Sequence, residues 1–188
     1  LGVDRETLVV ERLGCSGNGF AEVRDPRGLP ATTLRATFHL VTMPLAVRRT
    51  VVQAVESAGL EVAQLTHPLP AVLASLTDQP LARRRALLID VGGLTTDIGL
   101  FVEGVWQRAA FLPWGGFTYA TAIATELRVT MDQALTWSLE GATCRRGEVR
   151  ALYERQWAQL KEPLDCLLAD QPLPDAVLVG GRGALIDG

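Results

Sequence analysis

Apolar residues change their spacing several times along this chain, and each change marks an element. Thr7 to Leu13 is apolar and β-prone, and the glycine-rich stretch from Gly14 to Gly19 breaks it. Phe20 to Arg24 suits a short strand. Asp25-Pro-Arg-Gly28 has turn composition, since proline presets one φ and glycine accepts a positive one. From Thr33 to Thr42 the residues alternate. Leu34, Ala36, Phe38 and Leu40 fall on one face and Arg35, Thr37 and His39 on the other, which predicts a strand with one wet face. From Leu45 to Ala58 the period lengthens. Val47, Val51, Val55 and Ala58 form a stripe, with Arg48, Arg49 and Glu56 off it, as in an amphipathic helix stopped by Gly59. Leu60 to Thr66 reads as a strand, and Pro68 to Leu76 as a shorter helix entered through two prolines.

The second half has a different rhythm. Ala86 to Asp90 is wholly apolar up to its final acid, as a central strand would be. Ile98 to Val102 and Val105 to Leu112 follow, joined by Glu103-Gly104, which predicts a three-strand meander. Helices are expected over Thr118–Arg128, Met131–Glu140 and Val149–Leu168, the last kinked by Pro163. A final strand, Ala176 to Val179, runs into Gly180-Gly-Arg-Gly183. Two blocks emerge: residues 1–66 as a small α+β unit, and residues 67–188 as meander, helices, strand and glycine turn.

Composition narrows the functional classes. The chain has 188 residues, 48% of them apolar, so a sizeable core can be buried. No apolar run is long enough to span a membrane. A net charge of −3 with acids and bases interspersed argues against a nucleic-acid surface. Every basic residue but Lys161 is arginine, so no other lysine is available to grip a phosphate. Cys15, Cys144 and Cys166 lack metal-ligand or redox spacing and are expected to be reduced thiols. His39 and His67 are isolated and are expected to be structural. Arg145, Arg146, Arg150 and Arg155 suit a solvated helix face, and Leu152, Trp157, Leu160, Leu164 and Leu167 suit its core face. The chain begins at Leu1 rather than Met and stops at Gly188 just past a strand and turn, so a piece of a longer protein is expected.

One motif carries chemistry. In Asp90-Val-Gly-Gly-Leu-Thr-Thr-Asp97 an apolar strand ends in an acid, turns through adjacent glycines and two threonines, and re-enters an apolar strand. Glycines at a hairpin tip expose backbone N–H groups and let phosphate oxygens approach the chain. Thr95 and Thr96 add hydroxyl donors, and Asp90 could hold Mg²⁺ through water. A bare Gly-Gly would be no more than a turn; the acids and threonines around this one make it a candidate phosphate hairpin.

With these residues in view, the chain resembles FtsA, the actin-like bacterial cell-division family. The likeness is carried by Asp25-Pro-Arg-Gly-Leu29, Leu34 to Thr42, Val55 to Leu60, His67-Pro-Leu-Pro-Ala71, the hairpin, Leu112-Pro-Trp-Gly-Gly116 and Val177-Leu-Val-Gly-Gly-Arg-Gly183. PilM-type pilus-assembly proteins share the architecture and are the nearest rival. The resemblance implies an α/β actin-like ATPase (ribonuclease H-like) fold with an inserted α+β subdomain at residues 1–66. It implies ATP and Mg²⁺ as cofactors and places Asp90, Gly92, Gly93, Thr95, Thr96, Gly115, Gly116, Gly180, Gly181 and Gly183 at the nucleotide. It further implies FtsZ and other division proteins as partners, possible self-association through the first unit, and a cytoplasmic place at the division site on the inner face of the membrane.

Departures from the family pattern weigh against turnover. Leu94 stands where the family hairpin has a third glycine, and Ala120 and Ala122 stand where its next helix has Thr and Asp. The acid and lysine that contact the nucleoside are replaced by Leu135 and Ser138. The family's first phosphate hairpin is absent, and residues 141–177 leave no room for the subdomain found there. Three readings follow: an interaction protein with weak or no nucleotide binding, an ATP-binding relative completed by segments outside this chain, and a small-molecule kinase of the same superfamily. The last lacks any substrate-reading cluster.

Overall fold

A computed structural model describes residues 4–75, 84–140 and 146–185. It divides into two compact units, Leu1–Leu76 with Val105–Gln107, and Thr77–Gly104 with Arg108–Gly188. Cys144, Leu76 and Gly188 lie outside the described residues.

The first unit holds an antiparallel sheet of order β2-β1-β3, from β1 (Arg5–Gly17), β2 (Phe20–Val23) and β3 (Leu34–Pro44). β1 runs through Gly14 rather than stopping there; the ladder absorbs register shifts between Thr7 and Val9 and between Arg12 and Gly14. The predicted turn forms at Pro26–Leu29, closed by Leu29 N–H to Pro26 O at 3.1 Å, with Gly28 at φ +80°. Helix α1 (Leu45–Ser57) turns a different stripe inward from the one read in the sequence. Leu45, Arg48, Val52 and Val55 are half-buried, whereas Val47 and Val51 are exposed. Arg48 lies on this inward side with Leu45, Val52 and Val55; its Nε reaches Glu6 of β1 at 2.8 Å, and the aliphatic stem of an arginine can cover a sheet as an apolar residue does. The alternation in β3 holds only in part: Arg35 and Thr37 are exposed as expected, but so is most of the apolar face. Leu34, Phe38 and Leu40 are exposed, while His39, expected on the wet face, stacks on Trp106 with ring centroids 4.5 Å apart. Burial pushes the His39 imidazole below its ordinary value, Glu11 opposing and His67 adding to the effect. Leu60–Thr66 forms no strand; it is irregular chain leading to α2 (Pro68–Ser75), whose Leu69 and Leu73 are buried.

The second unit is built on a sheet of order β6-β5-β4-β7, from β4 (Arg85–Val91), β5 (Thr96–Val102), β6 (Val105–Leu112) and β7 (Ala176–Gly180). The apolar run of β4 is central as expected, antiparallel to β5 and parallel to β7. One face of the sheet, with Leu87, Ile89, Val91, Ile98 and Leu100, forms a core with Trp114, Leu160 and Leu167. A second core joins α3 (Gly116–Leu127), α4 (Met131–Glu140) and α5 (Gly147–Trp157) through Tyr119, Ile123, Ala134, Val149 and Leu152. The helix expected over Val149–Leu168 is divided by a 3₁₀ turn at Ala158–Leu160, after which α6 spans Lys161–Leu168. This break puts Pro163 in the first turn of α6, where a missing N–H costs no helical bond.

Core position predicts the mutational response. Leu100→Ala should cost about 2–5 kcal/mol in urea unfolding, because Leu100 is fully buried, whereas exposed Leu173→Ala should stay within about 0.5 kcal/mol.

Candidate functional site

Parallel pairing of β4 with β7 aligns Asp90 with Gly180. The chain therefore leaves both strands at the same end of the sheet, where open α/β sheets place their ligand crevices. The hairpin from Val91 to Thr95, the Gly115-Gly116 entry to α3 and the Gly180–Gly183 turn meet there.

Their backbones are knitted together. Gly92 N–H donates to Thr95 O at 2.9 Å and closes the hairpin. Gly116 N–H donates to Gly92 O at 3.0 Å, and Phe117 N–H to Gly93 O at 2.7 Å. The first donors of α3, which could otherwise face an anion, are spent on the hairpin. Three glycines are explained by this packing alone. A Cβ at Gly115 would lie 2.5 Å from Gly92 O, one at Gly181 2.3 Å from Val91 O, and one at Gly183 2.6 Å from Val91 Cγ1. Gly181 also has φ +87°. Gly93 and Gly180 differ: a Cβ on either would meet nothing within 4 Å, and neither has positive φ.

Strand alternation sorts the polar residues of the motif. Thr96 lies opposite Val91 and faces the sheet core; it is fully buried, and its hydroxyl donates to Trp114 O at 2.9 Å. That bond ties β5 to the loop before α3, so the hydroxyl expected at a ligand is committed inside the unit. Thr95, in the turn, is half-buried. Asp90 and Asp97 oppose each other across β4 and β5 on the other face, and both are half-buried. Both carboxylates lie at the strand end beside the hairpin, where oxygen ligands of this kind could hold Mg²⁺ through water. Among the described residues no group of three or more His, Cys, Asp or Glu could hold a metal directly.

The nucleoside side does not fit its ligand in the same way. Ser138 is buried, and its hydroxyl donates to Leu135 O at 2.8 Å. Leu135 and Leu139 are exposed on α4, and Ala120 is fully buried in α3. At the two α4 positions where the family has its acid and lysine, the described residues place an apolar Leu135 and a Ser138 whose hydroxyl is already committed. Leu94 is 64% exposed at the hairpin tip. The sequence reading missed Trp114 and Phe117, which lock the hairpin through main-chain atoms and carry no side-chain signal of that role.

No protein-family model matches the chain. It is 31% identical over 112 residues to the cell division protein FtsA of Pseudomonas aeruginosa, a match covering 60% of this chain and 27% of that protein. It is 28% identical over 102 residues to FtsA of Escherichia coli K12, covering 54% and 24%. The matched part thus spans about a quarter of the length of these relatives. Among solved structures, the PilM–PilN type IV pilus biogenesis complex aligns with TM-score 0.72 and 17% identity over 100% of this chain and 52% of that one. MreB5 of Spiroplasma citri bound to ADP aligns with TM-score 0.58 and 16% identity, covering 74% and 55%. An archaeal actin homolog aligns with TM-score 0.51 and 18% identity, covering 65% and 44%. The fold is that of the actin-like ATPases, and the sequence is similar to FtsA.

The glycines separate by role in a stability series. Gly115→Ala and Thr96→Val should each lower unfolding free energy by about 1–3 kcal/mol, through backbone collision and through an orphaned carbonyl respectively. Gly93→Ala and Gly180→Ala should change it by less than about 1 kcal/mol. Thermal melts of the four variants check the division.

Proposed function

We propose that this chain is part of a divergent FtsA-like cell-division protein and serves as an assembly and interaction module, with nucleotide binding weak or lost. The observation that carries this reading is the committed state of the site's donors. The first N–H groups of α3 and the Thr96 hydroxyl bond within the unit, and α4 offers Leu135 where a nucleoside needs an acceptor. The expected partners are FtsZ and other division proteins, met in the cytoplasm at the division site; similarity to FtsA supports this. Among the described residues no helix is long and apolar enough to cross a membrane.

A second reading has its own support. Gly93 and Gly180 remain glycine with open space before them, and Asp90 and Asp97 stand together beside them. This is what an ATP-binding relative would keep if its remaining contacts came from segments outside the chain. Asp90 would then hold the Mg²⁺ and the hairpin the phosphates, while the cation would supply charge neutralisation.

Affinity decides between the two. Each lost polar contact costs about 1 kcal/mol, and about 1.4 kcal/mol is tenfold in affinity, so three or four losses weaken a micromolar site to near-millimolar. Isothermal titration of the chain with Mg-ATP should therefore show a dissociation constant near the millimolar range or no heat. A low-micromolar constant would put the ATP-binding reading first.

A further inference from the structure

Helix α2 begins with two prolines. Pro68 and Pro70 have no N–H, so in its first turn only Leu69 and Ala71 carry a backbone donor. Both donors end on His67. Leu69 N–H donates to His67 Nδ1 at 3.3 Å, and Ala71 N–H donates to His67 O at 3.4 Å. His67 therefore caps the N-terminus of α2, with its ring in the role that the side-chain oxygen of Ser, Thr, Asp or Asn usually fills. The helix it starts buries Leu69 and Leu73. A ring nitrogen accepts a hydrogen bond only while it is unprotonated, so the capping ring is the neutral form with its proton on Nε2. The same ring lies against Trp106, with centroids 5.0 Å apart, and His39 stacks on that indole at 4.5 Å.

We propose that His67 is a proton-operated cap: neutral, it closes the first turn of α2, and protonated at Nδ1 it releases Leu69 N–H and lets that turn open. An oxygen cap would hold at any pH, whereas histidine is the side chain that ordinarily changes charge between about pH 5 and 8. The proton also sets a cation at a helix N-terminus, where the macrodipole disfavours it. With proline at both neighbouring positions, no other donor of the first turn can take over the lost bond. The charged surroundings of the ring are few. His39 shares its indole, and Glu11 of β1, opposite His39, is half-buried. Helix α2 has no titratable side chain, and the segment leading to it brings only Glu61, which is exposed. Arg108, two residues beyond Trp106 on β6, donates to Leu167 O and Ala169 O. Helix α2 is the last helix of the first unit before the chain passes to the second, so the cap couples the order of this segment to proton concentration.

Amide hydrogen exchange of the 188-residue chain, read residue by residue by NMR and corrected for intrinsic rates, tests the cap. From about pH 8 to about pH 5, protection of the Leu69 amide relative to that of Val9 should fall about fivefold, the usual worth of an N-cap. Val9 lies in the β1–β3 ladder of the same unit and corrects for its overall stability. That correction is needed because burial lowers the His39 pKa: the unfolded chain takes up this proton first, and the unit loses stability as pH falls below the ordinary 6.5. His67→Asn supplies an amide oxygen that accepts at either pH, so its relative protection should stay level. His67→Ala should have the low value at both. Imidazole nitrogen shifts at the upper pH should place the His67 proton on Nε2. Relative protection that is flat in the wild type overturns the proposal. So does a His67→Asn variant that falls as far as wild type, or a neutral His67 ring protonated at Nδ1.

Discussion

The second unit depends on one close approach: the backbone after β4 is clasped between the entry to α3 and the turn after β7. Parallel pairing of Asp90 with Gly180 sets the distance, and Gly115, Gly181 and Gly183 make it possible. Any Cβ at those positions would penetrate main-chain or Val91 atoms. Hydrogen bonds from Gly116 and Phe117 to the hairpin carbonyls, and from Thr96 to Trp114, then convert proximity into a fixed arrangement.

That clasp commits backbone and hydroxyl donors of the motif. One solved structure of similar fold, MreB5 of Spiroplasma citri, is bound to ADP. Here the donors are largely consumed in holding the segments together, and open glycine backbone remains only at Gly93 and Gly180 among the site glycines described as contact-free. Asp90 and Asp97 stand opposite each other on the far face, and α4 leaves Leu135 and Leu139 exposed among its polar residues.

The first unit has a different balance. Its sheet covers one face with Arg48 and with the stacked His39 and Trp106, and leaves Val10, Leu34, Phe38 and Leu40 in solvent. Burying such side chains is worth about 1.5–3 kcal/mol each, so a covered face is the lower-energy state whenever a partner is at hand. The arginine over β1 and the imidazole on an indole show that polar side chains with flat or aliphatic surfaces can do the work usually assigned to leucine and valine.

Period and composition alone made the strands β4, β5 and β6, helices α3 and α4, the Gly28 turn and the glycine hairpin after β4 legible. These depend on local signals: an unbroken apolar run, glycine at a turn, a 3.6-residue stripe. Likeness to FtsA could likewise be read from the motifs, and it is what the similarity of known proteins bears out. Tertiary structure alone decided the rest. Leu60–Thr66 has strand composition but pairs with no strand among the described residues and is irregular. The helix beyond Val149 divides because Pro163 is accommodated by a new start rather than a kink. Thr96 and Ser138 turn inward because strand and helix phase, set by the cores they join, outrank the chemistry their side chains could offer. The inward side of α1 was settled by where the helix meets its sheet, with Arg48 bonded to Glu6 more than forty positions earlier in the chain, and no periodicity along the helix itself carries that information.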